Sequence, residues 1–161
     1  MDTPTAADLF QRHHLALFRY VYRLTGRRDV AEDVVQEVFV RVVRRLDAYQ
    51  TMGREAAWLF TIARRLLVDR HRALERRPPP VDDSADASIP AHQETSAALA
   101  EALAQVLEVE RDAFLLREVG GLSYDEIARL CHTTPDSVRS RIYRARVRLR
   151  AMLSPTAQVP S

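Results

Sequence analysis

The sequence predicts an all-α chain of two small helical domains joined by an acidic, proline-rich linker. Three observations carry this. Glycine is scarce, four in 161 residues, and strand-like alternation is nearly absent. Apolar residues recur at three- and four-residue steps along most of the chain, the period of a helix with one buried side. Between residues 78 and 95 that period stops. PPPVDDSADASIPAHQET opens with three prolines and adds Asp82, Asp83 and Asp86, a composition that resists both helix and collapse. The chain therefore divides into a domain at 1–77, a linker at 78–95, a domain at 96–154 and a tail at 155–161 expected to be disordered.

Residues 6–25 read as the first helix, with Leu9, Phe10, Leu17, Val21 and Leu24 buried and Gly26 as its stop. His13 and His14 have no Cys or carboxylate at ligand spacing and read as solvated or core-edge side chains. Residues 29–46 (DVAEDVVQEVFVRVVRRL) form the second helix, with Asp29 as its cap and Val35, Val38, Phe39, Val42 and Leu46 as its core stripe. Glu32, Asp33, Gln36 and Glu37 come early and Arg41, Arg44 and Arg45 late. That order complements the helix dipole, and the early patch is also a candidate docking face for a protein. A loop at 47–54 leads to the third helix, 55–77. Its core candidates are Trp58, Ile62, Leu66 and Val68. Six arginines (64, 65, 70, 72, 76 and 77) meet only Glu55, Asp69 and Glu75. Such a helix suits phosphate contact, with Trp58 and Phe60 either stacking on bases or lying in the core.

After the linker, residues 96–119 give one or two helices. Leu99, Leu103, Val106 and Leu107 form one stripe, Phe114, Leu115 and Val119 the next, and Gly120-Gly121 ends them. Residues 122–153 then read as two helices joined by a tight turn. Ser123 and Glu126 have capping-box spacing, and Leu122 and Ile127 flank the cap as a hydrophobic staple. The turn falls at 132–135, with Thr134 capping the second helix and Pro135 at its first position. Val138, Ile142, Ala145 and Leu149, with Met152 or Leu153, share one stripe, and Cys131 is expected to pack against Ile142. Asp136, Ser140, Tyr143 and Val147 point the other way, flanked by Arg139 and Arg144. An apolar back with short polar residues and arginines in front is what a major-groove reader needs, because arginine grips guanine edges bidentately. The capped helix before it gives helix-turn-helix spacing.

Charge is distributed unevenly. Residues 1–77 hold 15 arginines against 10 acids, residues 78–118 hold 2 against 9, and residues 119–161 hold 7 against 3. Two basic blocks around an acidic middle suggest two nucleic-acid contacts. All 24 basic residues are arginine, which first reads as a genomic composition bias. One cysteine excludes an internal disulfide and fits a reducing compartment. MDTPTAADLF lacks the basic start and apolar core of a signal peptide, and no apolar run approaches a membrane span. A cytoplasmic protein is expected. No nucleophile, acid or metal constellation is visible, so an enzyme, a cofactor and a metal are not.

These residues resemble a known family. DVAEDVVQEVFVRVV, AAWLFTIARRLLVDRHR and GLSYDEIARLCHTTPDSVRSRIYRARVRLR, in that order, resemble the bacterial RNA polymerase sigma factors of the extracytoplasmic-function (ECF) group, which keep only sigma domains 2 and 4. The resemblance covers nearly everything from Leu9 to Leu153. It implies that Asp33, Gln36 and Glu37 dock on the β′ clamp coiled coil of the polymerase core. Trp58, Arg64, Arg65 and Arg72 would approach the −10 strand. Ser137, Arg139, Ser140, Arg141, Tyr143 and Arg144 would approach the −35 element, Arg141 through the backbone. The β flap and an anti-sigma factor are implied as further partners, without membrane insertion. The sequence departs from the family at Arg65, where asparagine is common, at Glu55, near a common aromatic, and at Glu108, in place of a common proline. His132 stands for the usual turn glycine, which calls for a left-handed backbone, and Asp136 stands where glycine is common. Two rivals remain: a dimeric helix-turn-helix regulator, and an adaptor that binds polymerase but not promoters.

Overall fold

The computed structural model describes residues 4–46, 54–76 and 94–154. Seven helices appear among them: α1 (Ala6–Thr25), α2 (Arg28–Arg45), α3 (Glu55–Glu75), α4 (Glu94–Ala104), α5 (Glu108–Glu118), α6 (Tyr124–Leu130) and α7 (Pro135–Leu153). They fall into two compact units, α1–α3 and α4–α7. Most of the expected linker, the loop at 47–53 and the tail from 155 lie outside the described residues. The fourth helix starts at Glu94, two residues before its expected position, and residues 96–119 divide into α4 and α5.

In the first unit, α1 packs on α2 and both pack on α3. Thr5 and Asp8 cap α1 reciprocally, a box the sequence reading passed over. Gly26 closes it at φ 73°, its N–H donating to the Tyr22 carbonyl. The core joins Leu9, Leu17, Tyr20 and Val21 of α1, Val30, Ala31, Val34, Val38 and Val42 of α2, and Leu59, Phe60 and Ala63 of α3. Tyr20 and Phe60 meet edge to face at 5.3 Å.

Several core expectations need correction here. Phe10 is 44% exposed; its ring lies over His14 and against the edge of Phe39 instead. Leu24, Val35, Phe39 and Leu46 are half-buried, and the α2 stripe runs through Val30, Ala31 and Val34. Trp58, Ile62, Leu66 and Val68 are half-buried too, while Leu59, Phe60 and Ala63 face inward. Both helices carry apolar residues on more than one side, so periodicity alone does not choose the face; packing between two neighbours does. Asp29 is not the cap of α2. The helix begins at Arg28, and Asp29 sits in its first turn holding Arg27 in a two-point ion pair at 2.7 and 3.1 Å.

The second unit is built on α7, which packs against α4, α5 and α6. Its stripe Val138, Ile142, Ala145 and Leu149 is buried as expected, against a core that includes Leu103, Val106, Leu115, Leu116, Leu122 and Ile127. Met152 and Leu153 end outside it, 39% and 42% exposed, as does Leu107 at 56%. Phe114 and Val119 are half-buried. Cys131 is also only half-buried, its thiol 3.9 Å from the Asp112 carboxylate. It stands at the C-cap of α6, outside the helix proper.

Candidate nucleic-acid interface

The α6–turn–α7 segment is fixed by local hydrogen bonds. The Ser123 hydroxyl accepts from the Glu126 N–H at 3.1 Å, and the Glu126 carboxylate accepts from the Ser123 N–H at 2.8 Å. Leu122 and Ile127, on either side of that cap, are both buried. At the far end of α6, the Thr133 N–H reaches the Ala128 carbonyl at 2.9 Å and the His132 N–H the Arg129 carbonyl at 3.4 Å. This pair of bonds is a Schellman closure, and it places His132 in the left-handed region at φ 54°. The Thr134 hydroxyl then accepts from the Ser137 N–H at 3.1 Å, and Pro135 opens α7.

With its back buried, α7 presents a defined front. At about 100° per residue, Asp136, Ser140, Tyr143 and Val147 lie opposite the buried stripe. All four are exposed, Tyr143 by 67%. Arg139 and Arg146 share one flank, seven residues apart; Ser137, Arg141 and Arg144 share the other. Arg139, Ser140 and Arg144 are exposed, and Ser137 and Arg141 half-buried. The structure thus brings the six expected −35 residues onto one helix, and Asp136 lies beside them with a carboxylate 3.9 Å from the Arg139 guanidinium.

On α3 the expected −10 residues separate. Trp58, Arg65 and Arg72 stand seven residues apart and within roughly 40° of one another, opposite the buried stripe. Arg65 and Arg72 are exposed and Trp58 is half-buried. Arg64 lies about 120° from Trp58, on the flank, and is half-buried. Asp33 and Gln36 are exposed on α2, and Glu37 is half-buried beside them. Asp33 pairs with Arg70 of α3 at 3.5 Å and Glu37 with Arg41 at 3.4 Å.

Three features escaped the sequence reading. Glu55, in the first turn of α3, accepts from Arg12 at 3.0 Å and contacts His13 Nε2 at 2.8 Å, so a long-range carboxylate partner exists for His13. Burial pushes the Glu55 carboxyl up, but the bonds and charges of His13 and Arg12 outweigh it and hold the group below the usual carboxylate range. Arg146 bonds Glu118, which raises the guanidinium further and keeps it charged. Tyr124 collects arginines around its ring. The links of Glu55 to Arg12 and of Glu118 to Arg146 span 43 and 28 residues, so no local spacing announces them. Among the described residues, no group of three or more His, Cys, Asp and Glu could hold a metal, and no helix is long and apolar enough to cross a membrane.

Comparison with known proteins gives two family matches: sigma-70 region 2 over residues 9–77 and sigma-70 region 4 over residues 96–149. The ECF RNA polymerase sigma factor EcfG of Rhodopseudomonas palustris (strain TIE-1) is 31% identical over 143 residues, covering 86% of this chain and 79% of that protein. The ECF RNA polymerase sigma factor SigL of Mycobacterium tuberculosis (strain ATCC 25618 / H37Rv) is 36% identical over 155 residues, covering 90% and 86%. Two other curated relatives are longer, and this chain spans 62% of one and 59% of the other. Among solved structures, that of CnrH in complex with the cytosolic domain of CnrY is similar, with a TM-score of 0.69 and 27% identity over 96% of this chain and 89% of that one.

Proposed function

The chain belongs to the sigma-70 family, among its ECF members, and from that premise we propose how its residues divide the work of a sigma factor. It is a transcription initiation factor and not an enzyme. Residues 1–77 act as sigma domain 2, residues 78–95 as a linker, and residues 96–154 as sigma domain 4. Asp33, Gln36 and Glu37 dock on the β′ coiled coil of RNA polymerase core, and domain 4 meets the β flap. Trp58, Arg65 and Arg72 capture unstacked −10 bases and phosphates of the non-template strand, with Arg64 at their flank. Extruding a base costs a few kcal/mol, which capture of the single strand offsets. Ser137, Arg139, Ser140, Arg141, Tyr143 and Arg144 enter the −35 major groove, Arg141 through a phosphate. The protein works in the cytoplasm. A regulatory protein domain holds it inactive, as CnrY's cytosolic domain is bound to CnrH; the family resemblance makes that partner an anti-sigma factor.

The observation that carries this reading is the exposed side of α7: Ser140 and Tyr143 opposite a buried stripe, with exposed Arg139 and Arg144 on its two flanks. The test is run-off transcription with core polymerase, the full chain and a fragmented genomic library. Starts with a shared −35 and −10 pair are expected. Arg144→Ala should lose them while retaining core binding, and Gln36→Ala should lose them with core binding. Specific duplex binding without any core binding would replace this reading with the dimeric regulator. Core binding without starts would favour the adaptor.

A further inference from the structure

Tyr124 stands at the first position of α6, directly after the Ser123 cap, so its backbone is fixed by the capping box. Its ring is half-buried. The Arg117 guanidinium carbon lies 5.2 Å from the ring centre, and Arg117 is itself anchored by donating to the Leu122 carbonyl at 2.9 Å. The Arg139 guanidinium carbon lies 5.6 Å from the same centre. Both distances are within reach of a cation–π contact. Arg139 comes from one flank of the exposed side of α7, and Tyr124 from the helix before it. Arg146, one flank position further along α7, is held by Glu118 of α5.

We propose that Tyr124 is a positioning residue for promoter recognition: its ring, braced by Arg117, holds the Arg139 guanidinium ready at the −35 face. This rests on the proposed reading of α7. The physical reason is entropy. The Arg139 side chain is 68% exposed and carries many rotamers, and ordering them at the moment of DNA binding opposes affinity. A planar guanidinium lying on an aromatic ring is already restricted before the groove arrives. Asp136 approaches the same guanidinium at 3.9 Å, but its carboxylate is 94% exposed, so the ring is the stronger restraint. Arg144 leaves α7 on the opposite flank, so Tyr124 acts on one reader and not on the other.

The test is a double-mutant cycle on holoenzyme reassembled from core polymerase and the full chain. The probe is a promoter fragment recovered in the run-off experiment. Tyr124→Leu should weaken promoter binding about two- to fivefold, the size of an exposed to partly desolvated cation–π contact. Tyr124→Phe keeps the ring and should stay within about twofold of the parent. Tyr124→Leu with Arg139→Ala should bind no worse than Arg139→Ala alone, whereas Tyr124→Leu with Arg144→Ala should show both losses multiplied. Multiplied losses with Arg139→Ala overturn the proposal while the reading of α7 stands. An Arg139→Ala variant that binds as the parent does overturns the reading of that residue, and the proposal with it. Helix content and core binding report whether Tyr124→Leu folds; Tyr124→Met takes its place in the cycle if it does not.

Discussion

His132 holds φ 54° because the closure of α6 needs a left-handed residue at that point, with the next N–H bonded back to Ala128. A side chain there costs roughly 1–2 kcal/mol in the left-handed region, and glycine gives part of that back through its freer unfolded chain. His132→Gly is therefore expected to stabilise the second unit by about 1 kcal/mol or less, read as a raised midpoint in thermal or urea unfolding. Gly26 is the converse case. It sits at φ 73°, and a Cβ there would meet nothing within 4 Å. Gly26→Ala should destabilise the first unit by about 1 kcal/mol from the backbone alone, with no steric component. Glu55 supplies a pH dependence. Its carboxyl is depressed in the folded chain, so its contribution is present above the unfolded value of about 4.3 and is lost as pH falls through the lower folded value. Asp8, held by the Thr5 N–H and hydroxyl, and Asp29, held by Arg27, are depressed too and act in the same direction. Glu55→Gln should flatten part of the acid limb. Trp58 is the single tryptophan and lies in α3 one turn from Glu55, so its fluorescence reports the first unit.

At the scale of the element, α7 concentrates the second unit's stability and its proposed function on one helix. Ile142 is 1% exposed in the middle of the stripe that meets α4, α5 and α6. Ile142→Ala should cost about 2–5 kcal/mol and unfold the second unit, seen as lost −35 binding, while Trp58 fluorescence of the first unit is unchanged. Thr134→Ala, which removes the cap of α7, should cost about 1 kcal/mol. Legibility in the sequence follows the same physics. Ser123, Glu126, Thr134 and Pro135 were readable because capping is local and uses few residue types. The α7 stripe was readable because the other sides of that helix are mostly polar, with six arginines against an exposed Tyr143 and Val147. Leu59, Phe60 and Ala63 were not, because AAWLFTIA is apolar nearly all round and the choice of face belongs to α1 and α2. The salt links of Glu55 to α1 and of Glu118 to Arg146 span 43 and 28 residues, and no local pattern announces such distances.

Across the whole molecule, the proposed division of the promoter runs between two basic helices, α3 for melted −10 bases and α7 for the −35 duplex. The charge pattern supports it, with basic segments before residue 78 and after residue 118 and an acidic one between. The two proposed contacts would neutralise phosphates, so promoter affinity should fall steeply with salt, and Arg65→Ala and Arg72→Ala should each lower that slope. The −10 variants should slow strand opening while leaving the −35 footprint in place; Arg144→Ala should do the reverse. The most direct measurement places a photocrosslinking amino acid at position 58 in one holoenzyme and at position 143 in another, on a promoter recovered from run-off transcription. Position 143 should crosslink to −35 duplex at temperatures both permitting and preventing melting. Position 58 should crosslink to the −10 non-template strand only once the strands have opened. Crosslinks from position 58 that ignore melting, or from position 143 that fall outside the −35 element, would overturn that division between α3 and α7.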